Sequence, residues 1–130
     1  MLHPNQFERD EAWVAFQLNG EPIRTEQDGD LNCIALMEAS SCFILGMQLV
    51  KVRKSGPTVR ESRELLQAGV ARSGTRPKTL FVPSEQVAER LVGEAERANI
   101  AVVRIPDVQL LSIVGEARTG FTEHLNGGRR

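Results

Sequence analysis

A single acid, Glu38, occupies the position in this chain that best suits chemistry. It ends an almost continuous apolar run that begins at Cys33, and a four-residue corner separates it from a second apolar run, Phe43 to Val50. A carboxylate where a strand ends can serve as a metal ligand. The simpler interpretation is a polar residue that surfaces at a turn. One acid is not a catalytic constellation, so any chemistry needs further acids from elsewhere.

Two other acids are candidates to complete such a site. Glu116 lies in a helical pattern near the C-terminus, and Asp107 follows Pro106 at the start of that pattern. Both also have structural interpretations, Glu116 as a solvated helix residue and Asp107 as an N-cap. The sequence contains no nucleophile–base pair and no phosphate loop. It therefore predicts no convincing catalytic set, no metal and no cofactor, and Mg²⁺ or Mn²⁺ enters only if the protein is an enzyme.

Seven basic residues form two clusters beside the first predicted helix and are candidates for phosphate or nucleic-acid contact. They are Lys51, Arg53, Lys54 and Arg60, then Arg72, Arg76 and Lys78. The alternative is solvated surface. A net charge of −1 gives no global electrostatic case for nucleic acid, and one Trp with no Tyr leaves few aromatic platforms for bases.

Length and composition indicate one ordinary globular domain. The chain has 130 residues, of which 41% are hydrophobic and 25% charged. Cys33 and Cys42 would not face each other across the corner, so two free thiols are predicted rather than a disulfide. The chain shows no signal-peptide pattern and no apolar run of membrane-spanning length. These features favour a cytoplasmic protein without membrane association.

The first half of the chain predicts antiparallel strands after a polar, loosely held segment at 1–12. A strand over 13–18 runs into Asn19-Gly20, a strong hairpin signal. Residues 21–26 would return as an edge strand, because Pro22 removes a ladder donor. An amphipathic helix from 7 to 18 is the alternative, and we favour the hairpin.

A central antiparallel pair follows, over residues 31–38 and 43–52. Apolar residues on both parities predict burial of both faces of these strands.

The second half predicts alternating helices and strands. In order they are a helix capped by Thr58 and Gly74, a strand over 78–82, a helix capped by Ser84, a strand over 100–104 and a helix from Pro106. Thr58 with Glu61 matches the capping box. A strand–helix–strand unit implies parallel strands with a right-handed crossover. The prediction is one α/β domain over 1–125 with a mixed sheet, followed by a disordered tail at 126–130.

This order of elements resembles the ribonuclease-H-like fold, specifically the catalytic core of retroviral-type integrases and transposases. Those cores often have an acid at the end of a strand, a Ser three residues later and a Gly five residues after that, as Glu38, Ser41 and Gly46 do here. Their next helix often starts with Thr, like Thr58, and their next strand follows a loop like Arg76-Pro77. The resemblance covers roughly residues 31–118.

The resemblance implies three carboxylates that hold two divalent metal ions for phosphoryl transfer. The chain departs from that pattern. Glu38 stands where Asp is usual, Pro83 and Ser84 stand where the second acid is expected, and neither Glu116 nor Asp107 lies in the family's local pattern. The resemblance therefore implies a degenerate, non-catalytic member.

We expect a non-catalytic protein that associates with another protein or with itself. An unpaired sheet edge invites a further strand. Trp13 and Phe16 are interface candidates or, equally, core residues. The alternatives are a metal-dependent nuclease or strand-transfer enzyme that uses Glu38 and Glu116, and a nucleic-acid-binding module without catalysis.

Overall fold

Six strands and three helices build this protein, as a computed structural model that describes residues 1–127 shows. The strands are β1 (Ala12–Gln17), β2 (Ile23–Thr25), β3 (Gly29–Glu38), β4 (Phe43–Lys51), β5 (Thr79–Pro83) and β6 (Ala101–Ile105). The helices are α1 (Val59–Ser73), α2 (Glu89–Arg97) and α3 (Leu111–Gly127), with 3₁₀ turns at Pro4–Gln6 and Asp107–Leu110. The predicted α/β class is confirmed, and the architecture is consistent with a ribonuclease-H-like fold.

The strands form one mixed sheet in the order β2-β3-β1-β5-β6, with β4 also paired to β3. Trp13 of β1 lies opposite Glu38 of antiparallel β3 and opposite Leu80 of parallel β5. β5 and β6 are parallel, as the strand–helix–strand pattern predicted, and β3 and β4 form the predicted antiparallel pair.

The predicted hairpin at Asn19-Gly20 is wrong, although the strand before it exists and the alternative helix does not. β2 pairs with β3, and Ile23 lies opposite Leu31. The physical reason lies in the Asn19 side chain, whose Oδ1 accepts from the Cys33 amide (2.7 Å) while its Nδ2 donates to the Glu21 carbonyl (2.9 Å). These bonds hold an irregular step along β3 instead of a reversal.

Helices cover both faces of the sheet. α1 and α2 pack on one face and α3 on the other, and each face has its own apolar cluster. Alternation along β1 sends Trp13 to the α1 face and Phe16 to the α3 face. Both side chains are fully buried, so the core alternative holds for these two interface candidates.

Two helix starts test the predicted caps. The capping box of Thr58 and Glu61 is present, and Gly74 takes the left-handed conformation that ends α1. The predicted Ser84 cap is wrong, because α2 begins only at Glu89. The Ser84 amide donates instead to the carbonyl of Ile105 (2.7 Å), which keeps this segment on the sheet.

The chain ends differ from their predictions. Within the segment expected to be loosely held, the Leu2 amide donates to the Gln109 carbonyl (2.9 Å), and the Phe7 ring packs edge-on against Phe81. α3 extends to Gly127, so the first residues of the predicted tail are helical, and residues 128–130 lie outside the described residues. Within residues 1–127, no helix is both long enough and apolar enough to cross a membrane.

Candidate functional site

Glu38 is buried at the end of β3, with 2% of its surface exposed. Its Oε1 accepts hydrogen bonds from the hydroxyls of Ser40 (2.6 Å) and Ser41 (2.7 Å) and from the Ser41 amide (3.0 Å). Its Oε2 accepts from the amides of Asp10 and Ser40, both at 3.1 Å. A carboxylate offers about four lone-pair sites. Five donors therefore occupy them all, and Glu38 holds its corner together.

The charge of Glu38 follows from these contacts. Burial raises the pKa of the carboxyl group, but the hydrogen bonds from Ser40, Ser41 and Asp10 outweigh burial and hold the pKa below its usual range. Glu38 is thus an ionised carboxylate whose negative charge is stabilised by hydrogen-bond donors of its own chain.

Glu38 also lies at the wrong end of the sheet to share a metal with residues that follow β5. Its partner Trp13 is level with Leu80, near the start of β5. Pro83, where the resemblance places a second acid, lies about 10 Å further along at about 3.3 Å per residue. Glu38 and Pro83 therefore lie toward opposite ends of the strands, too far apart to bind the same metal ion.

A cleft of about 340 Å³ lies where the carboxyl ends of β1 and β5 meet, the usual place for ligands in open α/β sheets. Asn19 and Pro83 line it, and Arg118 donates to both carboxylate oxygens of Asp107 at 2.7 Å. Arg118 also donates to the Gln17 carbonyl (3.0 Å). The predicted N-cap role of Asp107 is wrong, because its carboxylate binds Arg118 and no backbone amide of its helix.

The remaining acids do not complete a metal site. Glu85 lines the same cleft, and its Oε1 accepts from the Asp107 amide (2.9 Å). Glu116 is exposed on α3, beside the corner that contains Cys42. Among the described residues, no three His, Cys, Asp or Glu side chains form a group that could hold a metal ion. A saturated Glu38 and an arginine-bound Asp107 do not fit the two-metal site that the resemblance implies.

Both cysteines are free thiols, as predicted. Burial raises the pKa of Cys33. Burial, followed by the charges of Glu116 and Glu38, raises the pKa of Cys42. Because the thiolate is the nucleophile, both groups are poorly reactive at neutral pH.

The two basic clusters lie at opposite ends of α1. Arg60 and Arg72 are about 18 Å apart at about 1.5 Å per residue, so the clusters do not converge. Four of the seven side chains have partners: Arg53 with Glu61, Arg60 with Glu64, Arg72 with the Phe43 ring, and Arg76 with the Ala98 carbonyl. Phosphate or nucleic-acid contact by these residues stays a prediction.

Strand β4 differs from its prediction. On the α1 face Leu45 and Val50 are buried, but on the α3 face Met47 and Leu49 are each 58% exposed. The apolar cluster under α3 includes Ile44 but neither of these residues. The predicted burial of both faces is therefore wrong for β4, because α3 packs over β1 and β3 and leaves the outer strand uncovered.

The backbone of β4 has an open side. The Cys33 carbonyl accepts from the Leu18 amide, so Cys33 points its backbone groups toward β1, and its neighbour Ile34 points toward β4. Gln48, opposite Ile34, therefore bonds back to β3. Met47 and Leu49 point their N–H and C=O groups away from the sheet, where no strand within residues 1–127 receives them.

The exposure of Met47 and Leu49 was not predictable from composition, because the apolar residues of β4 predict a central strand. Topology contained the missing signal. The chain leaves β4 for a helix and then a parallel strand next to β1, so no later strand is placed outside β4.

Comparison with known proteins supports the fold alone. No protein-family model matches the chain, and no curated protein matches its sequence. Among solved structures, the chain is similar to a chain in the cryo-EM structure of the simian T-cell lymphotropic virus intasome in complex with PP2A regulatory subunit B56 gamma. The TM-score is 0.55 at 13% identity, and the match covers 91% of this chain. This chain spans 37% of the length of that viral chain.

Proposed function

We propose that the protein is a non-catalytic ribonuclease-H-like domain that acts in protein–protein association, and that β4 receives an extended strand from another chain. The observation that carries this proposal is the open side of β4, where backbone groups without a strand partner among residues 1–127 adjoin the exposed side chains of Met47 and Leu49. In strand addition, main-chain hydrogen bonds supply affinity and side-chain contacts supply specificity.

The opposite edge of the sheet supports the choice of β4. β6 has five residues, and its Arg104 is engaged with the carbonyls of Pro83 and Gln86. β4 has nine residues and no charge from Phe43 to Val50. Natural edge strands are commonly blunted by charge, proline or shortness. β4 has none of these devices until Lys51, and its β-bulge, which is another such device, lies at Leu45, before the segment from Gly46 to Val50.

The alternatives have less support. A metal-dependent nuclease or strand-transfer enzyme needs free carboxylates at one point, whereas Glu38 is saturated and Asp107 is bound to Arg118. A nucleic-acid-binding module needs free basic groups, whereas Arg53, Arg60, Arg72 and Arg76 are engaged with partners in the same chain. We accordingly propose no cofactor.

Photo-crosslinking in the cell that makes the protein tests the association. A photoreactive amino acid at position 49 should yield an adduct of defined mass, because this side chain would face the incoming strand. The same group at Val103, an exposed apolar residue of β6, is the matched control and should yield no adduct of that mass. Failure of position 49 to form an adduct, or an equal adduct from position 103, would refute the proposed function.

A further inference from the structure

We propose that β4 pairs with β4 of a second copy of this chain, antiparallel and about a two-fold axis at Gln48. This inference rests on the proposed function and names its partner. A two-fold interface uses the same surface on both copies, so the strand must be complementary to itself. The backbone, the side chains and the charges of β4 each meet that condition.

The backbone selects a small set of registers. Only residues whose N–H and C=O groups point outward can exchange hydrogen bonds with a new strand, and on β4 these include Met47, Leu49 and Lys51. A two-fold axis at Gln48 sets Met47 of one copy opposite Leu49 of the other, and the reverse. Met47 and Leu49 of both copies then form hydrogen-bonded pairs, in which the outward N–H and C=O groups of each residue meet those of the residue opposite.

The exposed side chains select this register. Met47 and Leu49 lie on the same face of the sheet, and a two-fold axis perpendicular to the sheet keeps both copies' faces aligned. The four side chains therefore meet in one apolar patch, in which Met47 and Leu49 shield their facing sides from water. The axis at Gln48 confines Lys51 to a pair with Leu45 at the end of the paired segment, three residues from the axis. An axis at Leu49 would instead set Lys51 against Met47, and an axis at Met47 would pair Leu49 with Leu45, two residues from the axis. Leu45 is the bulged residue of β4, between the pairs Ile44–Met37 and Gly46–Leu36.

The charges at the two ends of β4 are complementary. Lys51 and Lys54 lie at its C-terminal end, and Glu116 lies beside Cys42 at its N-terminal end. Antiparallel pairing brings the basic end of each copy toward the acidic end of the other. Arg72 also lies at the N-terminal end, but it packs over the Phe43 ring on the α1 face, whereas Glu116 lies on the α3 face with the Lys51 side chain.

Sedimentation equilibrium across the micromolar range tests the second copy. The wild-type chain and Val103→Lys should form a concentration-dependent dimer, whereas Leu49→Lys should raise the dissociation constant at least about tenfold by burying charge at the interface. Leu49 is exposed, so the variant should fold, and Met47→Lys serves if it does not. The inference would be overturned by a wild-type chain that stays monomeric, or by a dimer whose dissociation constant is changed by neither Leu49→Lys nor Met47→Lys.

Introduced cysteines test the register, because the remaining native Cys33 is buried. In a Cys42→Ser background, Gln48→Cys should form an intermolecular disulfide, because the two Cα atoms across the axis of an antiparallel pair are about 4.5 Å apart. Leu49→Cys should not, and the reverse pattern would overturn the axis at Gln48. If the purified chain is monomeric while position 49 still crosslinks to a protein of another mass in cells, the proposed function stands and the second copy is wrong. If both experiments fail, both proposals fail.

Discussion

Strands β3 and β4 are neighbours of similar apolar character, yet the structure treats them differently. From Cys33 to Glu38 every residue of β3 is buried, whereas in β4 only Leu45 and Val50 are buried and the other residues are half-buried or exposed. β3 has strands on both sides and helices on both faces. In the part of the chain that the structure describes, β4 has one neighbouring strand and a helix on only one face. Apolar composition thus indicates that a strand favours burial, but the position of the strand in the sheet decides how many of its side chains are buried.

The polar groups of the two strands differ in the same way. At the end of β3, the Glu38 carboxylate and its surrounding donors satisfy one another within the chain. Along β4, the outward backbone groups of Met47 and Leu49 have no such partners among the described residues. The residue that most suggests chemistry is therefore part of the scaffold, and the strand whose composition suggests only core is an edge strand with exposed apolar side chains.

Equal leucine truncations on the two strands should give the largest contrast. Leu36→Ala removes a fully buried side chain of β3 and should lower the free energy of unfolding by about 2–5 kcal/mol, because it leaves a cavity. Leu49→Ala should change it by less than about 0.5 kcal/mol at concentrations where the chain is monomeric. Urea unfolding followed by circular dichroism measures both. Similar losses would mean that β4 is as well covered as β3.

Removing the Glu38 carboxylate should give the next largest effect. Glu38→Ala leaves the amides of Asp10, Ser40 and Ser41 without their acceptor and should cost about 2–3 kcal/mol of unfolding free energy. Glu116→Ala, on the exposed face of α3, is the matched control and should be nearly neutral. The same urea titration compares them. A stable Glu38→Ala protein would show that the corner is held by other contacts.

Helix α1 packs more closely on β3 than on β4, and alanine substitutions at the two contacts should differ in stability by a smaller amount. A Cβ at Gly69 would lie 2.5 Å from Leu36 Cδ2 and 2.9 Å from Trp13 Cζ3, so Gly69→Ala should cost about 1–3 kcal/mol by overpacking. A Cβ at Gly46, on β4, would meet Ala68 at 3.4 Å, which α1 tolerates more easily. Thermal unfolding should therefore show a clear loss for Gly69→Ala and little for Gly46→Ala. Equal melting temperatures would mean that α1 adjusts equally over both strands.

Much of the fold was predictable because its signals are local. The capping box at Thr58 and the left-handed Gly74 follow from the residue types at those positions. The order of strands and helices follows from apolar periodicity. Pairing was less predictable at Asn19, because a side-chain amide bonded to a residue distant in sequence replaced the turn that Asn-Gly favours.

The candidate site was less predictable, because its meaning depends on contacts between distant segments. Glu38 was found from the end of an apolar run, but its five donors include the amide of Asp10, which the sequence does not connect with it. Asp107 had the sequence pattern of an N-cap, but its carboxylate binds Arg118, a residue of α3 that lies 11 positions later in the chain. Met47 and Leu49 are apolar residues of the kind found in a protein core. Only the order of strands in the sheet shows that they lie on an edge strand and are exposed.

The smallest expected effect is the pH dependence of the stability that Glu38, at the end of β3, contributes. The folded-state pKa of Glu38 is lowered, whereas the unfolded value is about 4.3, so its ionisation stabilises the fold above that value. This contribution is lost as the pH falls through the folded pKa. Glu38→Gln should therefore be less stable than the wild type at neutral pH, and the gap should narrow as the pH falls toward about 3. Glu64, whose pKa is also lowered, is present in both proteins and cancels from the difference. Urea unfolding of both proteins over this range measures the gap, and a gap independent of pH would mean that folding leaves the pKa of Glu38 unchanged.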